Sequence, residues 1–303
     1  MQHDRRRVHR ARTDGKPMSK KLLMAGYQLV VYNRSEKSLR ELVDLGAERA
    51  DTPQTVAERS DITITMLPDS VDVEQVILGQ NSVAIGTREG SIVVDCSTIP
   101  PLVEMKIAEQ LRAKNVESLD APVTGGTIGA ERGTLTFMVG GSTHVYERCI
   151  PVFKAMGKNI FYMGTNGMGS FTKLCNQVCI GLNLLGTSEA LLLASKVGLD
   201  PKKTIEVLAT GAAGSWQQLN LGPQMLDKDF KPGFKVRHLK KDLRIVAEVC
   251  EKLSLPTFGP SLVHELLKIT ENQGFGESGT SALIATLEKA ATYEPRNIDK
   301  NSG

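Results

Sequence analysis

Lys173 stands in the run "GSFTKLCNQ", inside a long apolar segment patterned as a helix, with Asn176 and Gln177 three and four residues further on. That spacing puts one ammonium and two amides on a single helix face. A lysine on a helix is ordinarily a solvated surface residue. Within apolar surroundings, burial lowers its pKa and suits it to giving or taking a proton. Two further stretches place polar groups at strand ends. Thr124-Gly125-Gly126 follows a β-rich run, and its glycines expose backbone N–H groups able to hold a carboxylate; the same pair also marks an ordinary turn. Asp95-Cys96-Ser97-Thr98 closes another such run, at the carboxyl edge where α/β sheets bind ligands.

Other chemistries find little support. His3, His9, His144, His238 and His264 are scattered without metal-ligand spacing, so no metal site is expected. The five cysteines include no C-x-x-C and read as reduced thiols, which points to the cytoplasm. Cys175 has no histidine beside it to make it a nucleophile. No G-x-x-x-x-G-K-S/T loop occurs. Residues 1–14 hold five Arg against Asp4 and Asp14, which is the whole of the net charge of +3. The body is therefore neutral, and neither nucleic acid nor membrane is expected as a partner. The apolar runs, such as "EALLLASKVGL", are short and interrupted for a bilayer span, and the Arg-rich start lacks the apolar core of a secretory signal.

The elements that must position these groups alternate. Strand candidates are "QLVVY" (28–32), "DITITML" (61–67), "SIVVDCS" (91–97), "VESLDAPV" (116–123), "TLTFMVG" (134–140) and "NIFYMG" (159–164). Helix-patterned stretches lie between most of them, such as the one with Ser35 as N-cap and Gly46 past its end. The pattern predicts an α/β fold, a Rossmann-like doubly wound parallel sheet covered on both faces. After residue 165 only helical patterns follow, at 168–198, 201–210, 217–228, 236–253, 258–272 and 279–291, predicting an all-α domain. The first of these is apolar almost all round, which predicts burial on most faces and an oligomer, dimer or tetramer. The expected organisation is a basic leader (1–14), a coenzyme-binding domain (15–165), an all-α domain for substrate and oligomerisation (166–292) and a polar tail (293–303).

A dinucleotide-binding unit needs G-x-G-x-x-G between its first strand and first helix. Gly15 sits where the third glycine belongs, before the helix pattern "KPMSKKLLMAG". The first two glycines belong at positions 10 and 12, and both are Arg. The expected apolar strand before them is "DRRRVH". Codons can be chosen for Arg6–Gly15 that, read one base later, spell V-G-F-I-G-L-G-L-M-G, an apolar strand with the whole fingerprint. The leader is therefore read as the scar of a one-base frameshift near the codon of Gly15, with a genuine basic arm as the alternative. As written, it predicts loss of the central strand and of the glycine amides. At the end of the second strand, Asn33-Arg34-Ser35 offers no carboxylate for ribose hydroxyls, and Arg34 can face a 2′-phosphate; NADP is favoured, with NAD possible.

The stretches "GKPMSKKLLMAGY", "DCST", "LDAPVTGGTIGAERGTLTFMVGG", "GSFTKLCNQ" and "FKPGFKVRHLKKDL" resemble, in order and spacing, the β-hydroxyacid dehydrogenase family over residues 15–290. Within it, "GKPMSK", "TKLCNQ" and the 230–243 segment are most similar to the tartronate semialdehyde (2-hydroxy-3-oxopropionate) reductases. 3-Hydroxyisobutyrate dehydrogenases and glyoxylate/succinic semialdehyde reductases are close alternatives. The resemblance implies NADPH-dependent reduction of a small carboxylated aldehyde to a hydroxy acid, with Lys173 as the catalytic proton donor. It assigns Thr124, Gly125, Gly126, Asn176 and Gln177 to substrate. It assigns Gly15, Asn33, Arg34, Ser35, Met66, Leu67, Pro68, Thr98 and Lys241 to coenzyme, with Met66-Leu67-Pro68 on the adenosine side and Thr98 near the nicotinamide. Imine-reducing relatives lack the lysine, so Lys173 argues against them. Trp216 belongs to the pocket mouth or to the core, and Lys240 faces solvent. A reading of another class stays open: a folded, inactive scaffold in which the broken fingerprint abolishes coenzyme binding.

Overall fold

The computed structural model describes residues 7–9 and 15–291 of the chain. Packing divides the chain into two compact units, residues 1–175 and 176–303.

The first unit is built on a nine-stranded sheet. Its strands are β1 (Arg7–His9), β2 (Gln28–Val31), β3 (Glu48–Arg49), β4 (Ile62–Thr65), β5 (Ile92–Asp95), β6 (Glu117–Asp120), β7 (Val123–Thr124), β8 (Leu135–Gly141) and β9 (Gly157–Gly164). The order is 3-2-1-4-5-6, then β8 with β7 beside it and β9 beyond. All pairs as far as β6 are parallel, which gives the doubly wound arrangement with its switch point between β1 and β4. β8 runs antiparallel to β6 and β7, so the sheet is mixed at that edge. The predicted 116–123 strand is split in two: Ala121 N turns back to Asp95 O, 2.6 Å away, and Pro122 has no N–H for the ladder.

One expectation is corrected at the centre of the sheet. The run predicted to lose the first strand supplies it: Val8 pairs with Leu29 of β2 on one side and with Ile62 of β4 on the other. The ladder is made by backbone groups, which arginines carry as well as valines do. The expected fingerprint positions Arg10 and Arg12 lie outside the described residues.

The helices of this unit are α1 (Gly15–Met24), α2 (Glu36–Val43), α3 (Pro53–Glu58), α4 (Ser70–Leu78), α5 (Val83–Gly86), α6 (Pro101–Arg112), α7 (Gly126–Arg132) and α8 (Thr143–Met156). They cover both faces of the sheet. Ile92 and Val94 of β5 pack in one cluster with Met18, Leu22, Phe137 and Phe153, while Val93 packs in another with Ile77, Ile107 and Leu111. Burial on both faces is why the strands read as unbroken apolar runs.

The second unit contains most of α9 (Met168–Lys196), then α10 (Pro201–Ala209), α11 (Trp216–Leu226), α12 (Val236–Lys252), α13 (Phe258–Thr270) and α14 (Leu283–Ala290). The last predicted helix starts later than the pattern suggested, because Thr280–Ala282 forms a separate 3-10 turn. Leu239, Leu243, Val246, Val263, Leu267 and Leu283 make its core. α9 corrects two expectations. A series of buried residues falls every three or four positions, at 174, 177, 181, 184, 188, 191 and 194, with 169, 170, 173, 185 and 187 buried beside it, so one broad face is covered. Cys175, Cys179, Leu182 and Leu193, on the other side, are exposed. Its length and hydropathy also meet the requirement for a membrane span, although 39% of the apolar window is buried.

Candidate active site

At the carboxyl edge of the first unit, the turns after β4 and β5 are stitched together through Asp95. Thr65 Oγ1 donates to Asp95 Oδ1 at 2.5 Å and Ser97 Oγ donates to the same oxygen at 2.7 Å. Leu67 N donates to Ser97 Oγ at 2.8 Å. Met66, Leu67 and Pro68 therefore sit in a turn whose backbone is tied to the turn carrying Thr98. Burial pushes the Asp95 carboxyl above its ordinary range, while its partners, Glu104, Thr65 and Ser97, pull it back.

Asp120, at the end of β6, receives the start of α9. Gly167 N donates to Oδ1 at 2.7 Å and Ser170 N to Oδ2 at 2.8 Å. A carboxylate there satisfies backbone N–H groups at the helix entry and complements the helix dipole. Burial nevertheless raises its pKa to about 6, the backbone donors lowering it only in part. The approach is close: a Cβ on Gly169 would lie 2.3 Å from Met138 O and one on Gly140 would lie 2.5 Å from Asp120 Oδ1. Neither position admits a side chain. Asp120, Gly140 and Gly169 were not singled out from the sequence; an acidic residue inside the apolar run "SLDAPV" was the available signal.

Lys173 follows one turn into α9 and is 6% exposed. Thr124 ends β7, and Gly125 and Gly126 have φ of +124° and +60°. Those values belong to glycine, and they fold the backbone sharply at the start of α7. Gly15 is the buried first residue of α1. Beyond β2, Asn33 Oδ1 accepts from Ser35 N at 3.0 Å, so Asn33 rather than the Ser35 side chain closes the turn before α2. The Arg34 side chain is 62% exposed, and its guanidinium pairs with Asp72 of α4.

In the second unit, Asn176 Nδ2 donates to Gln177 Oε1 at 2.9 Å, and Gln177 Nε2 donates to Asp242 Oδ2 at 2.6 Å. Gln177 and Asp242 are buried, at 0% and 2% exposure. A carboxylate accepts only, so Asp242 fixes which way the Gln177 amide points and, through it, the Asn176 amide. Lys241 Nζ lies 3.0 Å from Asp242 Oδ1. The motif points to Lys241 and carries no sign that the acid beside it is buried. Lys240, expected in solvent, is partly buried and paired with Glu271. Trp216 is about half exposed at the start of α11.

The residues named from the sequence thus fall at strand ends of the first unit, along α9 and on α12. None lines the polar depression of about 220 Å³ around Asp61, Arg88, Ser91 and Arg148, which lies where β4 and β5 begin. Among the described residues no group of three or more His, Cys, Asp or Glu is placed to hold a metal.

Residues 13–164 match the family described as the NAD binding domain of 6-phosphogluconate dehydrogenase. Residues 167–287 match the one described as NAD-binding of NADP-dependent 3-hydroxyisobutyrate dehydrogenase. The 2-hydroxy-3-oxopropionate reductase of Escherichia coli (strain K12) is 38% identical over 280 residues, 92% of this chain and 96% of that protein. The NAD-dependent L-serine dehydrogenase of Pseudomonas aeruginosa is 35% identical over 276 residues, 89% and 93% of the two chains. The crystal structure of 3-hydroxyisobutyrate dehydrogenase from Salmonella typhimurium matches with a TM-score of 0.83 at 28% identity, covering 92% of this chain and 99% of that one.

Proposed function

This chain belongs to the NAD(P)-dependent β-hydroxyacid dehydrogenase family, and from that premise we propose that it reduces 2-hydroxy-3-oxopropionate to glycerate with NADPH. The observation that carries the reading is Lys173, an ammonium 6% exposed on α9, immediately ahead of an amide pair held in one orientation.

The residues at the strand ends fit a dinucleotide. No carboxylate stands at Asn33-Arg34-Ser35, and the exposed Arg34 has only to exchange Asp72 for a 2′-phosphate. Gly15, Asn33, Arg34 and Ser35 would serve the phosphate and ribose, Met66-Leu67-Pro68 the adenosine side and Thr98 the nicotinamide side; Lys241 is assigned to the coenzyme by family resemblance. When bound, the coenzyme supplies a hydride. The chain's own groups do the rest. Backbone N–H groups of Thr124, Gly125 and Gly126 hold the substrate carboxylate. Asn176, backed by Gln177, holds the neighbouring hydroxyl. Lys173 Nζ gives its proton to the carbonyl oxygen as negative charge grows there, and takes it back in the reverse direction.

Sister substrates are the second reading, favoured by relatives named for serine and 3-hydroxyisobutyrate. Oligomerisation, as dimer or tetramer, is supported by the uncovered apolar side of α9 around Leu182 and Leu193. A reducing cytoplasmic setting is supported by five cysteines without a disulfide. The inactive-scaffold reading rests on Arg10 and Arg12.

The test is NADPH oxidation across 2-hydroxy-3-oxopropionate, methylmalonate semialdehyde, succinic semialdehyde and glyoxylate. The highest kcat/KM is expected for the first. A higher value for another member replaces the substrate, and no NADPH binding by the chain as written establishes the scaffold.

A further inference from the structure

Glu104 belongs to neither the coenzyme-binding nor the proton-transfer set, yet it is one of the most deeply placed acids in the molecule. It lies in the first turn of α6 and is 4% exposed. Its Oε1 and the Oδ2 of Asp95 are both buried without a hydrogen-bond donor among the described residues. The two carboxyl groups are within hydrogen-bonding reach of each other. Each is an acceptor until one carries a proton, and two ionised carboxylates do not share a dry contact. The proton has one favourable home. Asp95 Oδ1 takes hydroxyl donors from Thr65 and Ser97, which stabilise its charged form. Glu104 has Asp95 of β5 and Asp120 of β6 facing it. α4, which also packs on α6, offers Glu74, tied to Lys106 by an exposed ion pair. Burial and the two neighbouring acids together push the Glu104 carboxyl well above the ordinary range.

The contact also has a consequence for shape. Asp95 and Glu104 are the two ends of the segment that carries Thr98 in its middle. Ser97, inside the segment, in turn holds Leu67 N of the neighbouring turn.

We propose that Glu104 is a positioning residue of the coenzyme site: its carboxyl O–H donates to Asp95 and closes the 95–104 segment, fixing Thr98 and, through Ser97, the turn at Leu67. The proposal rests on the coenzyme reading above for its purpose, and on the buried pair alone for its mechanism. Glutamine keeps a donor at this position and has no proton to lose; alanine leaves Asp95 Oδ2 buried with nothing to accept from. Loss of the proton at alkaline pH has the same effect as alanine.

Three proteins are compared: the chain as it stands, Glu104→Gln and Glu104→Ala. At a pH well above 6, where Asp120 is ionised, infrared absorption of the unaltered chain is expected to hold a protonated carboxyl band that Glu104→Gln lacks. Hydrogen–deuterium exchange of residues 96–103 at neutral pH is expected to match the unaltered chain in Glu104→Gln and to quicken about tenfold in Glu104→Ala, the effect of removing one hydrogen bond to a charged group. Raising the pH quickens exchange in the unaltered chain beyond its intrinsic pH dependence, and not in Glu104→Gln. A missing carboxyl difference, or the same alkaline excess in both, overturns the proposal. NADPH titration of the same samples separates the two readings: the affinity of Glu104→Gln stays level where that of the unaltered chain falls at alkaline pH. Failure of all three to bind NADPH sinks the coenzyme reading and leaves the exchange result to decide the role of Glu104.

Discussion

At the scale of single residues, the proposed chemistry rests on Lys173, 6% exposed, and its immediate neighbours. Lys173→Ala removes the proton donor while leaving the turns at Leu67 and Thr98 in place. Turnover is expected to fall by about 10²–10⁴-fold, the usual worth of a positioned acid, with the NADPH dissociation constant unchanged by fluorescence titration. Unchanged turnover removes Lys173 from the mechanism. Arg34→Asp acts on the coenzyme alone. It takes away the charge-assisted bonds to a 2′-phosphate, so NADPH affinity should drop by about tenfold or more, while NADH binding holds or improves. Equal affinities before and after discard the assignment. Both residues are named from the sequence, Lys173 by its motif and Arg34 by its place at the end of the second strand. Asp242 and Glu104 were not. A buried acid differs from a surface acid only by what surrounds it, and the amide donor to Asp242, Gln177, comes from a position 65 residues away.

At the scale of elements, strand and helix assignments were legible wherever periodicity was strong. β2, β4 and β5 lie within the predicted runs because central parallel strands are apolar on both faces. The break between β6 and β7 was not, since Ala121-Pro122 looks like a continuation until Asp95 O takes the Ala121 N–H. Which face of α9 is covered within the chain is not legible, because an apolar helix does not reveal which side packs. What joins sheet to α9 is Asp120, and it carries a pH signature. Its carboxyl titrates at about 6 in the folded chain and at about 3.9 in an unfolded one. Between those values the folded chain holds the proton more tightly, so Asp120 contributes stability at low pH that is lost as pH rises through about 6. Asp120→Asn is expected to flatten that part of the stability–pH curve. It also turns an N–H₂ toward a backbone N–H at Gly167 or Ser170, a loss of about 1–3 kcal/mol in urea denaturation at neutral pH. A variant with an unaltered slope over this interval rules out Asp120 as its source.

At the scale of the whole molecule, folding and coenzyme binding place different demands on the same fourteen residues. The sheet asks β1 only for backbone groups, and Arg7–His9 pair on both sides. That is why the strand persists where its apolar pattern is missing. A pyrophosphate asks for something side chains do not replace: a backbone with no Cβ at positions 10 and 12, so that amides at the start of α1 approach it. Arginine there brings charge and bulk together. The two demands are separated by replacing residues 6–15 with V-G-F-I-G-L-G-L-M-G, which keeps Gly15 and returns the other two glycines. Far-ultraviolet circular dichroism is expected to be unchanged, because the strand and α1 already exist. Apolar side chains at the strand should raise the unfolding midpoint, each buried one adding about 1.5–3 kcal/mol at most. NADPH affinity should rise by about a hundredfold, which is the worth of two charge-assisted amide contacts of about 1.5 kcal/mol each. Fluorescence titration of the two chains side by side measures it. Tight and equal binding by both chains means that Arg10 and Arg12 hold the phosphates by charge and that the leader is a working, if unusual, coenzyme loop.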